Sequence, residues 1–237
     1  CNVYFVERGM ELGVARLSAL FQSAGIGSKT GVELSENSGY LPKDGPRGNR
    51  NETAYISIGQ GKVLVTPLQA ASWFAAIANG GTLWKPYLVE RVYDPVPKTG
   101  RRLSVYDAKP EKRGTLAASP ESIAKIREGL FRVVNDPKGT GRRAQNDGAI
   151  ICGKTGTADV STPSGPRKNT WFCGYAEHPE TKALYSFAIL IENGSSGGGT
   201  CAPIAAKIFG QWFGPVLRRS APNAAAAPVA DASEPED

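Results

Sequence analysis

The chain has 237 residues, of which 41% are hydrophobic and 21% charged, values that fit one globular domain and exclude a fibrous or wholly disordered protein. No apolar run approaches the roughly 18 residues that a membrane-spanning helix needs, so no span is predicted. The net charge of +6 comes mainly from residues 81–143. Because no basic helix with interleaved aromatic residues accompanies this excess, nucleic-acid binding is not predicted.

The first 52 residues combine helical and irregular patterns. Apolar residues recur at helical spacing over residues 3–24, and Gly13 and Gly25 stand where helices can end, so two short helices are predicted. Residues 26–52 are rich in Gly, Ser, Asn and Pro, which predicts a loop with at most short strands.

A helix and a hairpin are predicted next. Thr66 and Gln69 form a capping box with a proline at the first helical position, and Gly80 ends the helix. Residues 87–94 and 102–108 flank a Pro/Gly turn and predict a β-hairpin.

Another helix is predicted from Ser119 to about Asn135. The apolar positions that should face inward are Ile123, Ile126, Leu130 and Val133 or Val134. The polar stretch that follows, residues 137–148, predicts a loop.

The C-terminal part predicts an antiparallel sheet covered by a helix. Three strands are expected, at residues 149–159, 169–176 and 183–192. A helix over residues 202–218 follows, and residues 220–237 form a low-complexity acidic Ala/Pro tail that is predicted to be disordered. Helices grouped before an antiparallel sheet indicate an α+β domain, here over residues 1–219.

The cysteines and the single histidine predict no metal site. Four cysteines stand far apart with no C-x-x-C pair, and His178 adds only one further ligand. Cys152 and Cys173 can lie on neighbouring strands, where either a disulfide or two buried thiols would fit, and buried thiols are the favoured interpretation. No cofactor is predicted.

The stretch "GAIICGKTGTA" at residues 148–158 fits two motifs, the phosphate loop G-x-x-x-x-G-K-[ST] and the tripeptide Lys-Thr-Gly. A phosphate loop needs a helix after its Lys-Thr, and residues 156–166 cannot form one. The apolar residues 150–152 instead predict a strand, which leaves the Lys-Thr-Gly interpretation. Two further copies of the tripeptide, at residues 29–31 and 98–100, fall in predicted loops.

On a strand that borders a groove, this tripeptide has a chemical rationale. Lys154 would supply a positive charge for a substrate carboxylate and help to move a proton. Gly156 would let an acyl-peptide lie close to the backbone. Thr155 and Thr157 would add hydroxyl groups, and the N–H of Thr157 would stabilise a developing oxyanion.

Four segments carry a family resemblance. In chain order, "YISIGQGKVLVTPLQ", "SPESIAKIREGLFRVVN", "GKTGTA" followed by "WFCGYAE", and "CAPIAAKIFGQWF" resemble the transpeptidase domain of class B penicillin-binding proteins, over about residues 1–215. The segment "IGQGKVLVTPLQ" is similar to the elongation-type group, penicillin-binding protein 2. The resemblance implies helices packed on a central antiparallel sheet, the penicillin-binding protein/β-lactamase-like transpeptidase fold, with the N-terminal part missing.

The family's three motifs, S-x-x-K, S-x-N and K-T-G, are only partly present. K-T-G matches Lys154 to Gly156. Cys1 and Asn2 match the last two residues of S-x-N, so the resemblance implies that Asn2 binds a substrate amide. The one S-x-x-K, Ser122 to Lys125, lies on an outward helix face and between the other two motifs. The nucleophilic serine, its lysine and any membrane anchor are therefore expected upstream of Cys1.

The resemblance implies a peptidoglycan D,D-transpeptidase that works through an acyl-serine at the periplasmic face of the bacterial inner membrane. Its implied partners are peptidoglycan stem peptides, β-lactams and membrane proteins of the elongation complex. A division-type transpeptidase, a β-lactam hydrolase and a non-catalytic penicillin-recognising sensor or binding module remain alternatives. A serine and a lysine encoded about 50 to 60 residues before Asn2 would argue against the module, a spacing that the resemblance implies.

Overall fold

The computed structural model describes residues 1–42, 50–94, 104–162 and 165–214. Its five α-helices are Asn2–Ser23 (α1), Arg50–Ile56 (α2), Pro67–Ala78 (α3), Pro120–Asn135 (α4) and Ala202–Phe213 (α5). Its seven strands are Thr82–Trp84 (β1), Arg91–Tyr93 (β2), Ser104–Asp107 (β3), Lys112–Thr115 (β4), Ile150–Thr162 (β5), Gly165–Glu177 (β6) and Leu184–Glu192 (β7). Within those ranges no helix is long and apolar enough to cross a membrane. The predicted tail, residues 220–237, lies outside them.

The central sheet is antiparallel, in the order β5–β6–β7. Strand β6 lies in the middle and buries most of its second half, Thr170 to Ala176. Helix α3 contacts β6 and β7, and α4 contacts β5. This arrangement of helices on a three-stranded antiparallel sheet confirms the predicted α+β class.

The sheet separates two apolar layers, because successive residues of a strand point to opposite faces. Cys152 and Tyr175 belong to one layer, together with residues of α3 and α4 such as Ile77 and Leu130. The alternate positions of the same strands belong to the other layer, which α5 completes: Ile151, Phe172, Ala176, Ala205 and Phe209. The start of β5, just before Lys154, is therefore packed on both faces.

Helices α3 and α4 begin directly after the capping residues that the sequence predicts, Thr66 and Ser119. Thr66 Oγ1 accepts a hydrogen bond from the N–H of Gln69 (3.2 Å), and Gln69 Oε1 accepts one from the N–H of Thr66 (2.9 Å), so the capping box is complete. Ser119 caps α4 through a bond from the N–H of Ser122 (3.2 Å). The predicted stop at Gly13 is a break within α1, where φ is +77°.

Several elements differ from the prediction. Strands β5 and β6 are longer than predicted, since β5 runs beyond residue 159 to Thr162 and β6 begins at Gly165 rather than at residue 169. Helix α2 and the pairing of β1 with β4 were not predicted. On α4 the buried residues are Ile123, Leu130 and Val134, while Ile126 is 44% exposed, so its predicted inward position is wrong.

Gln69 also ties the loop before α2 to the helical layer. The side chain is buried, at 1% exposure. Its Nε2 donates to the carbonyl oxygens of Ser28 and Ser38, both at 2.8 Å. The residue therefore caps α3 with its oxygen and holds residues 28–38 with its nitrogen.

We expect Gln69→Leu to lower the free energy of unfolding of the full-length protein by about 3 kcal/mol, because it leaves two carbonyls and one N–H without their buried partner. Urea-induced unfolding measures the change. The matched control is Gln22→Leu on the exposed side of α1, which should shift stability by less than about 0.5 kcal/mol. Equal losses from both variants would contradict this role for Gln69.

Candidate functional site

The predicted Lys-Thr-Gly strand forms one wall of a groove. Strand β5 pairs with β6 along one side, and no other described strand covers its second side. The groove beside it has a volume of about 360 Å³. Its opposite wall is apolar and comes from the end of α1, from α3 and from the segment before α3: Phe21, Ile26, Val63, Val65, Trp73 and Phe74.

The structure brings four of the five predicted site residues together. Lys154, Thr155, Gly156 and Thr157 all line the groove. Asn2 is exposed at the first residue of α1 and is not among the groove-lining residues. The assignment of Asn2 stays a prediction.

Lys154 lies against the backbone of its own strand. Its Nζ donates to the carbonyl oxygen of Thr155 at 2.8 Å. The residue as a whole is exposed, yet desolvation of the ammonium against the groove lowers the pKa of Lys154 below its ordinary value. The ammonium is thus a cation that water solvates only in part, which strengthens its attraction for a carboxylate.

Thr155 connects the strand to the loop after α4. Its hydroxyl lies 2.8 Å from the hydroxyl of Thr140. The loop itself is held by the N–H of Gly141, which donates to the carbonyl of Val133 (2.8 Å) at the end of α4. A direct side-chain contact therefore joins the Lys-Thr-Gly strand to this loop.

That loop makes one end of the site basic. A cleft of about 340 Å³ is lined by Lys154 together with Arg132, Asp136, Lys138 and Thr140. Beyond it, a cleft of about 670 Å³ lies between residues 137–143 and residues 196–199. The site thus runs from an apolar groove past Lys154 to a basic cleft. Sequence analysis predicted residues 137–148 only as a polar loop, although three cations in "KGTGRR" were a visible signal.

A second feature that sequence analysis missed is Gln60. Its Nε2 donates to the carbonyl oxygen of Thr157 at 3.2 Å, across the mouth of the groove. Gly59 (φ +71°) and Gly61 (φ +83°) flank it, and its own N–H donates to the carbonyl of Tyr55 (2.9 Å). The signal in the sequence is the pattern Gly-Gln-Gly, which fixes a tight turn around one polar side chain.

The glycines near the motif serve different purposes. A Cβ on Gly174 would lie 2.0 Å from the carbonyl oxygen of Cys152, and a Cβ on Gly153 would lie 3.0 Å from the ring of Phe172. Both positions therefore need glycine for packing. At Gly156 the nearest atom would be the Cβ of Trp171 at 3.4 Å, an ordinary contact, so packing alone does not require glycine there.

The remaining candidate residues have structural roles. All four cysteines are free thiols, and burial raises the pKa of Cys152 to about 11 and of Cys173 to about 12, as the buried-thiol interpretation predicted. Ser122 is exposed and bonds to Ser119, while Lys125 pairs with Glu121 (2.7 Å), so this S-x-x-K lies outside the groove. No cluster of potential metal ligands occurs in the described part of the chain.

Comparisons with known proteins agree on one family. The sequence profile of the penicillin binding protein transpeptidase domain matches residues 1–210. The peptidoglycan D,D-transpeptidase MrdA of Acinetobacter baumannii is 32% identical over 233 residues, which cover 90% of this chain and 33% of that protein. The chain spans about a third of the length of the curated relatives it matches.

Solved structures are similar as well. Penicillin-binding protein 2 of Pseudomonas aeruginosa, in complex with WCK 5153, has a TM-score of 0.69 at 28% identity, over 89% of this chain and 46% of that one. An acyl-enzyme complex of penicillin-binding protein A from Mycobacterium tuberculosis has a TM-score of 0.73 at 27% identity, over 88% and 45%.

We expect Gly174 of β6 and Gly156 of β5 to differ in their sensitivity to substitution. Gly174→Ala places a methyl group 2.0 Å from a backbone oxygen and should lower the free energy of unfolding by about 3 kcal/mol. Gly156→Ala should change it by less than about 1 kcal/mol, since its methyl group fits beside Trp171. Urea unfolding of the full-length variants measures both values, and a large loss for Gly156→Ala would show that packing requires this glycine too.

Proposed function

Because this chain belongs to the penicillin-binding protein transpeptidase family, as the motifs predicted, we propose that its parent protein is a peptidoglycan D,D-transpeptidase of the elongation type. The observation that carries the proposal is the free edge of β5, on which Lys154 to Thr157 line a groove with one apolar wall. An extended peptide can lie along such an edge as an additional strand. The name of the Acinetobacter relative states peptidoglycan D,D-transpeptidase activity for that protein.

The proposed reaction has two steps. A serine expected upstream of Cys1 attacks the carbonyl of the terminal D-Ala-D-Ala bond, and the last D-Ala leaves as an amine. The acyl group then passes from the serine to an amine on a neighbouring strand. The acyl-enzyme complex of the M. tuberculosis relative is consistent with a covalent acyl intermediate.

Each residue of the motif has a role in this proposal. Lys154 attracts the terminal carboxylate and helps to move the proton, and the hydroxyl of Thr155 donates to the same carboxylate. The carbonyl of Thr157 faces the free edge, where Gln60 contacts it. The N–H and C=O of one strand residue point to the same side, which supports an oxyanion role for the N–H of Thr157. The hydroxyl of Thr157 and the amide of Asn2 would complete substrate binding.

The proposed reaction indicates the cellular location, the ligands and the partners of the protein. The substrate polymer lies outside the inner membrane, so we place the protein at its periplasmic face, held by an anchor expected upstream. Stem peptides and β-lactams are the proposed ligands, and the ceftriaxone acyl-enzyme complex of the M. tuberculosis relative supports the β-lactam part of this proposal. Membrane proteins of the elongation complex are the proposed partners.

Covalent labelling with a fluorescent penicillin tests the proposal. The 237-residue chain should not label, because no described serine and lysine meet in its groove, whereas the full-length protein should label. The matched control is Ser122→Ala in the full-length protein, which should leave labelling unchanged. Failure of the full-length protein to label would favour the non-catalytic module, and labelling of the short chain that Ser122→Ala abolishes would overturn the exclusion of Ser122.

The lowered pKa of Lys154 predicts an alkaline limit for acylation. The ammonium binds the carboxylate only while protonated, and its pKa lies below 10.5, so the acylation rate should fall as the pH rises through that lowered value. In Lys154→Arg the guanidinium stays charged, so the limit should move to higher pH even if the rate is lower throughout. The measurement is the rate of penicillin acylation by the full-length protein, corrected for hydrolysis of the drug. The same limit in both proteins would contradict the role of Lys154.

A further inference from the structure

The side chain of Gln60 reaches across the mouth of the groove. Its Nε2 donates to the carbonyl oxygen of Thr157 at 3.2 Å, although the two residues come from opposite walls. Gln60 lies in the segment before α3, next to Ile58 and Gly59, which also line the groove, and Thr157 lies on the free edge of β5. A side chain thus bonds to the carbonyl of the same residue whose N–H is assigned to the oxyanion.

The backbone of Gln60 is held in place independently of this bond. The N–H of Gln60 donates to the carbonyl of Tyr55 (2.9 Å), and the N–H of Gly59 donates to that of Ile56 (3.0 Å), so the turn closes on the last residues of α2. A Cβ on Gly61 would lie 3.1 Å from the Cβ of Tyr55, which leaves this turn little room to shift. Rotation about the side-chain bonds of Gln60 is therefore enough to break the bond across the groove.

The pairing of antiparallel strands indicates which substrate group would meet the carbonyl of Thr157. In a hydrogen-bonded pair, two facing residues exchange both of their backbone hydrogen bonds. In the proposed reaction the N–H of Thr157 binds the oxygen of the scissile carbonyl. A donor peptide that joins the edge as an antiparallel strand therefore presents to the carbonyl of Thr157 the N–H of the same residue, the one before the scissile bond.

The donor amide and Gln60 then need the same place. A carbonyl oxygen can accept two hydrogen bonds, so the oxygen alone does not force a choice. The space does, because the donor strand must lie in the groove that the side chain of Gln60 crosses. Binding of the donor breaks the bond between Gln60 and Thr157 and forms a backbone hydrogen bond in its stead.

We propose that Gln60 is a specificity-determining residue that competes with the amide of the acyl donor for the carbonyl of Thr157. The inference rests on the proposed transpeptidase function and adds a cost to its first binding step. A donor with an amide nitrogen beside the attacked carbonyl group must displace Gln60. A donor with only hydrogen at that position leaves Gln60 in place. Gln60 therefore sets how strongly the groove favours the first kind of donor over the second.

The acylation rates of two penicillins test this role. One carries an acylamino group on the carbon next to the lactam carbonyl, and the other, penicillanic acid, carries hydrogen there. The second-order rate constant of each with the full-length protein is measured by competition with a fluorescent penicillin. Gln60→Ala should raise the constant about fivefold for the acylamino compound, which corresponds to one hydrogen bond of ordinary net strength, and should leave the constant for penicillanic acid unchanged.

A second variant and a matched control separate the hydrogen bond from other effects. Gln60→Asn keeps the carboxamide but shortens the side chain by one methylene group, so it should lose the contact and behave like Gln60→Ala. In both variants the acylation rate at saturating acylamino compound should stay unchanged, because the competition affects binding only. Gln211→Ala replaces an exposed glutamine of α5 and should leave both penicillins at their wild-type rates.

Three results would overturn the role of Gln60. They are an unchanged or lower constant for the acylamino compound in Gln60→Ala, an equal rise for both penicillins, and wild-type behaviour of Gln60→Asn. Absence of labelling of the wild-type protein by the fluorescent penicillin would instead count against the transpeptidase function itself, which keeps the two failures distinct.

Discussion

The packing of Phe172 between glycines determines where the site residues stand. Its ring is fully buried in the sheet. A Cβ on Gly153 would lie 3.0 Å from the ring and a Cβ on Gly141 3.3 Å from it. One aromatic side chain thus sets the distance between β5, which carries the Lys-Thr-Gly motif, and the loop after α4, which carries the basic cleft. The close packing of protein interiors makes such a contact a strict constraint, since neither side can shift by even the width of a methyl group.

Side chains alternate along β5, so neighbouring residues of the Lys-Thr-Gly motif lie on opposite faces of the sheet. Lys154 lies on the face that also holds Cys152 and Tyr175, and this face borders the groove under α3. Thr155 points to the other face, where it contacts Thr140. A single strand therefore supplies a cation to one side and a hydroxyl to the other while its free backbone edge lies between them. This geometry suits a substrate that needs a charge, a hydroxyl and a backbone partner within one residue of each other.

Local signals in the sequence were sufficient for some elements and for part of the site. The caps at Thr66 and Ser119 depend on neighbouring residues only, and both helices begin where those residues predict. The apolar residues before Lys154 correctly predicted a strand. Helix α2, by contrast, has seven residues, too few to be stable alone, and it packs against α1. Ile126 is exposed because the buried face of α4 contains positions 123, 130 and 134. Tertiary packing, and not the local sequence, determines which face of the helix is buried.

The same limit applies within the site. Gln60 and Thr157 are far apart in the sequence, so no pattern links them before the chain folds. Two carbonyl groups on the free edge of β5 already accept hydrogen bonds from side chains. Lys154 donates to the carbonyl of Thr155, and Gln60 donates to the carbonyl of Thr157. A peptide that joins this edge exchanges one hydrogen bond for another, and such an exchange has a small net free energy. Affinity must then come from the apolar wall and the cations. The two side-chain hydrogen bonds equally reduce the gain for a strand of another chain that pairs with this edge, which lowers the tendency of the protein to associate through its own binding groove.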